Sequence, residues 1–255
     1  MTGRALEALI DAQLAEDLGL EPPVWDRGGV TVVPWRERPG RRRYWAGHPF
    51  FLGCVRRGTA AFAVHPDLLP WAREALPGLD PAWCLDFGGL RAMDRALEPF
   101  GWGICKAHPF FVPDLSAPRA VSGGDVAWYE GPDLERFRGD PRWTDALAFQ
   151  PACPDMLAVA ALDNFGAPAA MAGASRDGAR LWQIGVNVLP EHRGRGLAVR
   201  LTALLKDALL DRGVVPFYGT ALSHTASLNV ARRAGLRPAW AEVWACPLDR
   251  MDGSL

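Results

Sequence analysis

The stretch that decides the fold is Val186-Asn187-Val188-Leu189-Pro190-Glu191-His192-Arg193-Gly194-Arg195-Gly196-Leu197-Ala198. It begins inside a run rich in β-formers, residues 179–189, and it ends by opening a helix. From Leu197 onward, Leu197, Ala198, Leu201, Leu204, Leu205, Ala208 and Leu209 fall at helical spacing and form one apolar stripe. Gly213 closes that helix as a left-handed cap. Between strand and helix, Gly194 and Gly196 let the backbone approach a ligand with no Cβ in the way. The backbone N–H groups of Arg193, Gly194, Arg195, Gly196, Leu197 and Ala198 can turn toward one point. The first helical turn adds unpaired donors and a partial positive charge. An anion such as a pyrophosphate suits that point. Arg193 and Arg195 can add charge-assisted contacts to phosphate.

Working outward, residues 157–163, 168–174 and 179–189 read as three strands joined by short turns, an antiparallel meander. Gly185 within the third run predicts a bulge or a close backbone approach. Downstream, residues 214–218 read as a short strand, 226–234 as a second helix closed by Gly235, and 239–245 as a last strand. Pro216 cannot donate to a ladder, so the short strand is expected to lack a partner on one side there. The order β-β-β-α-β-α-β gives an α/β fold with a mixed, mostly antiparallel sheet flanked by helices. The loop is no P-loop, since Gly-Lys-Ser/Thr is missing. Nor does it fit a dinucleotide fold, which needs its glycines early in a βαβ unit.

Arg193 to Ala198 resembles the (Q/R)xxGx(G/A) signature of the GNAT acetyltransferase superfamily. Val188-Leu189-Pro190 resembles that family's V-x-P lead-in, and Ser227-Leu228-Asn229-Val230-Ala231-Arg232-Arg233-Ala234-Gly235-Leu236 resembles its second helix. The resemblance covers roughly residues 120–255. It implies a GNAT-like domain that moves an acetyl group from acetyl-CoA to an amine of a small molecule or peptide. By similarity, Arg193, Gly194, Arg195, Gly196, Leu197 and Ala198 hold the pyrophosphate of acetyl-CoA, and Val186, Asn187 and Val188 pair with the pantetheine arm. Ser227 and Asn229 complete the implied cofactor-binding set. The backbone N–H near Asn187 would polarise the thioester carbonyl.

The departures from the family pattern lie in the catalytic groups. Where many members carry a Tyr as the acid for the CoA thiolate, this chain has Ala231. Where many carry an Asn ahead of the second helix, it has His224. The strand before the signature offers Gln183 in place of a carboxylate base. Tyr218, His224 and Glu242 are the candidate catalytic replacements, and a water relay or no residue at all are the alternatives. The missing acid and base also leave open a non-catalytic acyl-CoA-binding sensor or assembly module.

Residues 1–119 are expected to form an N-terminal α/β extension domain, either a cover for the acceptor site or a degenerate second copy of the same fold. Leu6, Leu9, Ile10, Leu14 and Leu18 mark an amphipathic helix stopped by Gly19. Residues 30–34 and 60–64 read as strands, and 66–76 and 90–97 as helices. The Pro-containing stretch 109–118 reads as the linker. The tetrapeptides beginning at His48 and His108 are identical, a weak hint of duplication. Arg41-Arg42-Arg43 reads as a solvated hairpin tip.

Composition narrows the function classes. The chain has 255 residues, and 28 Lys+Arg against 29 Asp+Glu give a net charge of −1, which disfavours nucleic acid and anionic membrane as partners. The sequence shows no long uncharged apolar span and no export signal, so a cytoplasmic protein is expected. Five scattered Cys without a CxxC predict neither disulfides nor a metal site.

Overall fold

The computed structural model describes residues 1–43, 49–121 and 125–251. The elements, in chain order, are α1 (Gly3–Leu18), β1 (Gly29–Pro34), β2 (Phe51–Arg56), β3 (Thr59–Val64), α2 (Leu69–Ala75), α3 (Phe87–Leu97), β4 (Trp102–Pro113), β5 (Val126–Glu130), β6 (Asp155–Leu162), β7 (Pro168–Ser175), β8 (Leu181–Val188), α4 (Leu197–Asp211), β9 (Val215–Gly219), α5 (Thr225–Arg233) and β10 (Leu236–Pro247). Short 3-10 turns join several of them. No helix among the described residues is long and apolar enough to cross a membrane. His48 lies outside the described residues.

The chain divides into two compact units. One comprises Met1–Ile10 and Phe111–Pro238, the other Asp11–Phe110 and Ala239–Leu255. A single boundary near residue 119 does not describe this division. The chain changes unit within α1, near the end of β4 and within β10. The expected linker at 109–118 is in its first half the end of strand β4.

In the first unit, β5, β6, β7 and β8 form the antiparallel meander, extended by one antiparallel strand at its start, and β9 joins β8 in parallel. The apolar stripe of α4 does what its spacing dictates. Leu201, Leu205 and Leu209 pack with Val159, Ala172 and Ile184 in one core. The opposite face of the sheet packs Ala158, Ala160 and Met171 against Leu134, Trp143 and Leu147. Gly173 and Gly185 face each other in register on β7 and β8, with no bulge between these strands. A Cβ on Gly185 would lie 1.7 Å from the Asp145 carbonyl oxygen, and one on Gly173 2.0 Å from that of Ala146. Gly185 therefore marks a close backbone approach, by the segment around Asp145.

In the second unit the strand order is β1-β3-β2-β10, with β1 parallel to β3 and the other pairs antiparallel. Phe51, Phe62, Leu68, Met93, Leu97 and Val243 are fully buried in its core. The expected solvated tip at Arg41-Arg42-Arg43 is corrected here, since Arg42 is only 1% exposed and Arg41 7%. The Arg42 backbone N–H donates to Asp17 Oδ1 at 2.7 Å, its Nε to Asp17 Oδ2 at 2.5 Å, and its Nη2 to Glu242 Oε1. A buried guanidinium needs such partners, because an unpaired buried charge is costly.

Candidate active site

The strand pair β8–β9 creates the opening. Its parallel register holds for Leu181 with Val215, Trp182 with Pro216 and Gln183 with Phe217, and it ends there. Beyond that point β8 continues through Ile184, Gly185, Val186, Asn187 and Val188, paired on its other side with β7 but not with β9. Pro216 lies inside the paired part, opposite Trp182. The free edge of β8 therefore runs along Val186, Asn187 and Val188, which are half-buried.

At the end of that edge the chain turns through Pro190–His192 into the glycine loop. Gly194 and Gly196 both adopt φ of +76°, a left-handed conformation that favours glycine, and open space surrounds each where a Cβ would stand. Gly196 is the N-cap of α4 and offers no side chain to cap it. The helical ladder begins with Arg200 N–H donating to Gly196 O at 3.1 Å, so the amides of Leu197, Ala198 and Val199 have no intrahelical acceptor. Arg193, Gly194, Arg195 and Gly196 are exposed. Arg193 Nε donates to Val188 O and Arg195 Nη2 to Glu191 O, each at 3.3 Å, so both side chains fold back along their own loop. The Arg193 amide donates to Pro190 O at 3.3 Å, and the unpaired amides of Leu197, Ala198 and Val199 at a positive helix end fit a pyrophosphate.

The structure brings two of the sequence candidates together. Tyr218, on β9 just past the point where β8 parts from it, lies 2.8 Å from Ser227 Oγ on α5. Both are buried. Burial pushes the Tyr218 phenol above its ordinary value, the Ser227 bond acts against that, and the negative charge of Asp145 adds to it. His224 is exposed and occupies the N-cap position of α5 without a side-chain cap bond. Asn229 is exposed on the same helix, and Ala231 is fully buried in the core.

Glu242 is a correction. Its side chain is 1% exposed, and Oε1 accepts from Arg42 Nη2 and, at 2.6 Å, from Trp240 Nε1. It belongs to the second unit, and the glycine loop belongs to the first. A carboxylate buried against a guanidinium and an indole N–H is out of reach of a substrate amine.

Sequence reasoning missed Asp145. This exposed residue lies in the segment that covers Gly185. Asn187 Oδ1 accepts the backbone N–H of Asp145 at 3.0 Å and of Ala146 at 2.7 Å, and Asn187 Nδ2 donates to Asp145 Oδ2 at 2.8 Å. Its partner is 42 residues away, so nothing in the local sequence pointed to it.

A mixed sheet splits here beside a glycine loop at a helix N-terminus. Residues 125–236 match the family model described as "Acetyltransferase (GNAT) family". No curated protein matches the chain. Among solved structures the chain is similar to a GNAT-family protein from Novosphingobium aromaticivorans, with 24% identity over 57% of this chain and a TM-score of 0.41. It spans 66% of that relative's length. It is also similar to a GCN5-related N-acetyltransferase from Kribbella flavida, with 19% identity, 94% of each chain and a TM-score of 0.48. A GCN5-related N-acetyltransferase from Sphaerobacter thermophilus gives 14% identity, 97% of this chain and 94% of that one, and a TM-score of 0.49.

Proposed function

We infer that the chain transfers an acetyl group from acetyl-CoA to an amine. The observation that carries this reading is the pair of left-handed glycines, Gly194 and Gly196, opening α4 at the end of the free β8 edge. The amides of Arg193 to Ala198 would hold the pyrophosphate, and the edge at Val186 to Val188 would pair with the pantetheine arm. Ser227, bonded to Tyr218, and Asn229 on the same helix would complete the cofactor contacts. In the chemical step an uncharged amine nitrogen attacks the thioester carbonyl carbon. A C–N bond forms, the C–S bond breaks, the amine proton passes to water, and the thiolate takes a proton from the Tyr218 hydroxyl, which water then restores. Tyr218 fits the acid role because its phenol is held protonated and its oxygen is fixed by Ser227. His224, exposed at the N-cap of α5, is the second candidate for handling that proton. The acceptor is a small-molecule or peptide amine.

The buried Ala231 in place of a tyrosine favours a second reading, a module that holds acyl-CoA without turnover. Thermal unfolding with and without acetyl-CoA, on wild type and Gly196→Glu, tests the shared cofactor site. Ligand at about 100 times its Kd adds about 2.7 kcal/mol of stability. A wild-type shift that vanishes in folded Gly196→Glu supports the site, and no shift at millimolar acetyl-CoA overturns it. Release of free thiol across an amine panel then separates the enzyme from the holding module.

A further inference from the structure

Two carboxylates of the same unit, Asp163 and Asp140, have acceptor capacity taken up locally. Asp163 Oδ1 accepts two backbone N–H groups of its own turn, and both oxygens of Asp140 accept from Arg142. Asp145 differs. Its Oδ2 is held by Asn187 Nδ2, while its Oδ1 accepts no hydrogen bond and no cation pairs with it among the described residues. The residue is exposed. Its backbone is fixed at both ends of the contact. The carbonyl packs on Gly185, and the N–H is bound to Asn187 Oδ1.

Two bonds from Asn187 Oδ1 already latch the loop. The third, from Nδ2, orients the carboxylate and leaves one oxygen facing solvent. That orientation is made from β8, beyond the last residue paired with β9. Asn187 is also the residue whose backbone N–H the family resemblance assigns to the thioester carbonyl. On that assignment, the Asp145 carboxylate would stand beside the thioester that an amine must attack. The raised phenol of Tyr218 senses the same charge.

We propose that Asp145 selects a protonated primary amine as acceptor, with Oδ1 receiving an ammonium N–H while Asn187 holds Oδ2. The proposal rests on the acetyl-transfer reading and names its substrate class. Asp145 anchors the cation, and Asn187 is the positioning residue. After binding, the ammonium gives one proton to water, and the neutral amine that results attacks the thioester carbonyl. A charge-assisted bond of this kind, lost on substitution, costs about ten- to a hundredfold in affinity.

The test compares wild type with Asp145→Asn on a primary alkylamine and a diamine, both cationic near neutral pH, and on an arylamine, which is neutral there. The expected result is a wild-type preference for the cationic acceptors. In Asp145→Asn, the ratio of kcat/KM for alkylamine over arylamine falls at least tenfold, through KM for the alkylamine, and the thermal shift with acetyl-CoA remains. An unchanged ratio in folded Asp145→Asn overturns the proposal, as does a wild type that binds acetyl-CoA but acetylates only arylamines or nothing. A wild type with no acetyl-CoA shift overturns the acetyl-transfer reading itself, so the two failures are told apart. Asn187→Ala provides a further check, because it should raise KM for the alkylamine more than it lowers kcat.

Discussion

The hydroxyl of Tyr218 on β9 and the Oγ of Ser227 on α5 lie 2.8 Å apart in a buried setting. Phenol donors act while protonated, so the rate falls as pH rises through the phenol's pKa. The Ser227 bond lowers that pKa against the upward push of burial. Ser227→Ala should therefore move the alkaline fall of kcat to higher pH, and Tyr218→Phe should lower kcat by about 10²-fold and abolish that limb. The pH profile of kcat for the three proteins measures this. The same shift acts on stability. The folded phenol holds its proton more tightly than the unfolded one, so its contribution is intact below the ordinary value of 10.0 and is lost as pH rises through the folded value. Tyr218→Phe should flatten that alkaline decline.

Gly185 has no room for a methyl group. Its Cβ would meet the Asp145 carbonyl oxygen at 1.7 Å, and backbone there is latched by Asn187. Gly185→Ala should cost about 1–3 kcal/mol or more and displace the Asp145 segment. Urea denaturation reads the first effect. A loss of alkylamine affinity exceeding that in acetyl-CoA affinity reads the second.

Arg42 and Glu242 form a buried pair, each about 1% exposed. Removing Glu242 takes away one of the two carboxylates that hold the buried Arg42, and removing Arg42 strands Glu242. Glu242→Leu should cost about 3–5 kcal/mol in stability, and Arg42→Met together with Glu242→Leu should cost less than the sum of the single changes. A double-mutant cycle by denaturation measures this. In the folded fraction of Glu242→Gln the pH profile of kcat should keep its wild-type shape, which a proton-accepting Glu242 would not allow.

His108 is half-buried, and burial together with the charge of Lys106 lowers its pKa below 6.5. The folded state disfavours the imidazolium. Its contribution to stability is present above the unfolded value and is lost as pH falls from 6.5 through the folded value. His108→Gln should reduce the acid loss of stability between about pH 7 and pH 5, as followed by denaturation at both values.

The elements that sequence reasoning found are those whose signals are local. The stripe of α4 and the left-handed glycines at 194, 196, 213 and 235 carry their meaning within a few residues. The strands it missed have misleading local features. In β2, Gly53 reads as a break, yet a Cβ there would lie 2.6 Å from the Phe62 ring, so the glycine serves packing. In β4, Pro109 and Pro113 suggest a linker inside what is a twelve-residue strand. The site divides the same way. The phosphate loop is one contiguous segment and was legible. Asp145 depends on Asn187, 42 residues on, and Glu242 on Arg42, 200 residues back, and no spacing rule reaches across such distances.

The passage of β10 from one unit to the other sets an order of events during synthesis. β2 waits for Ala241, Glu242, Val243 and Trp244 before its second edge is paired, and Arg42, already held by Asp17, waits for Glu242 as its second carboxylate. Those partners are made about 190 residues after β2. The segment first translated can therefore close its own sheet only after the glycine loop and both of its helices have been made. A nascent chain stalled before β10 leaves the second unit with an open strand edge, the condition in which chaperone capture or aggregation begins.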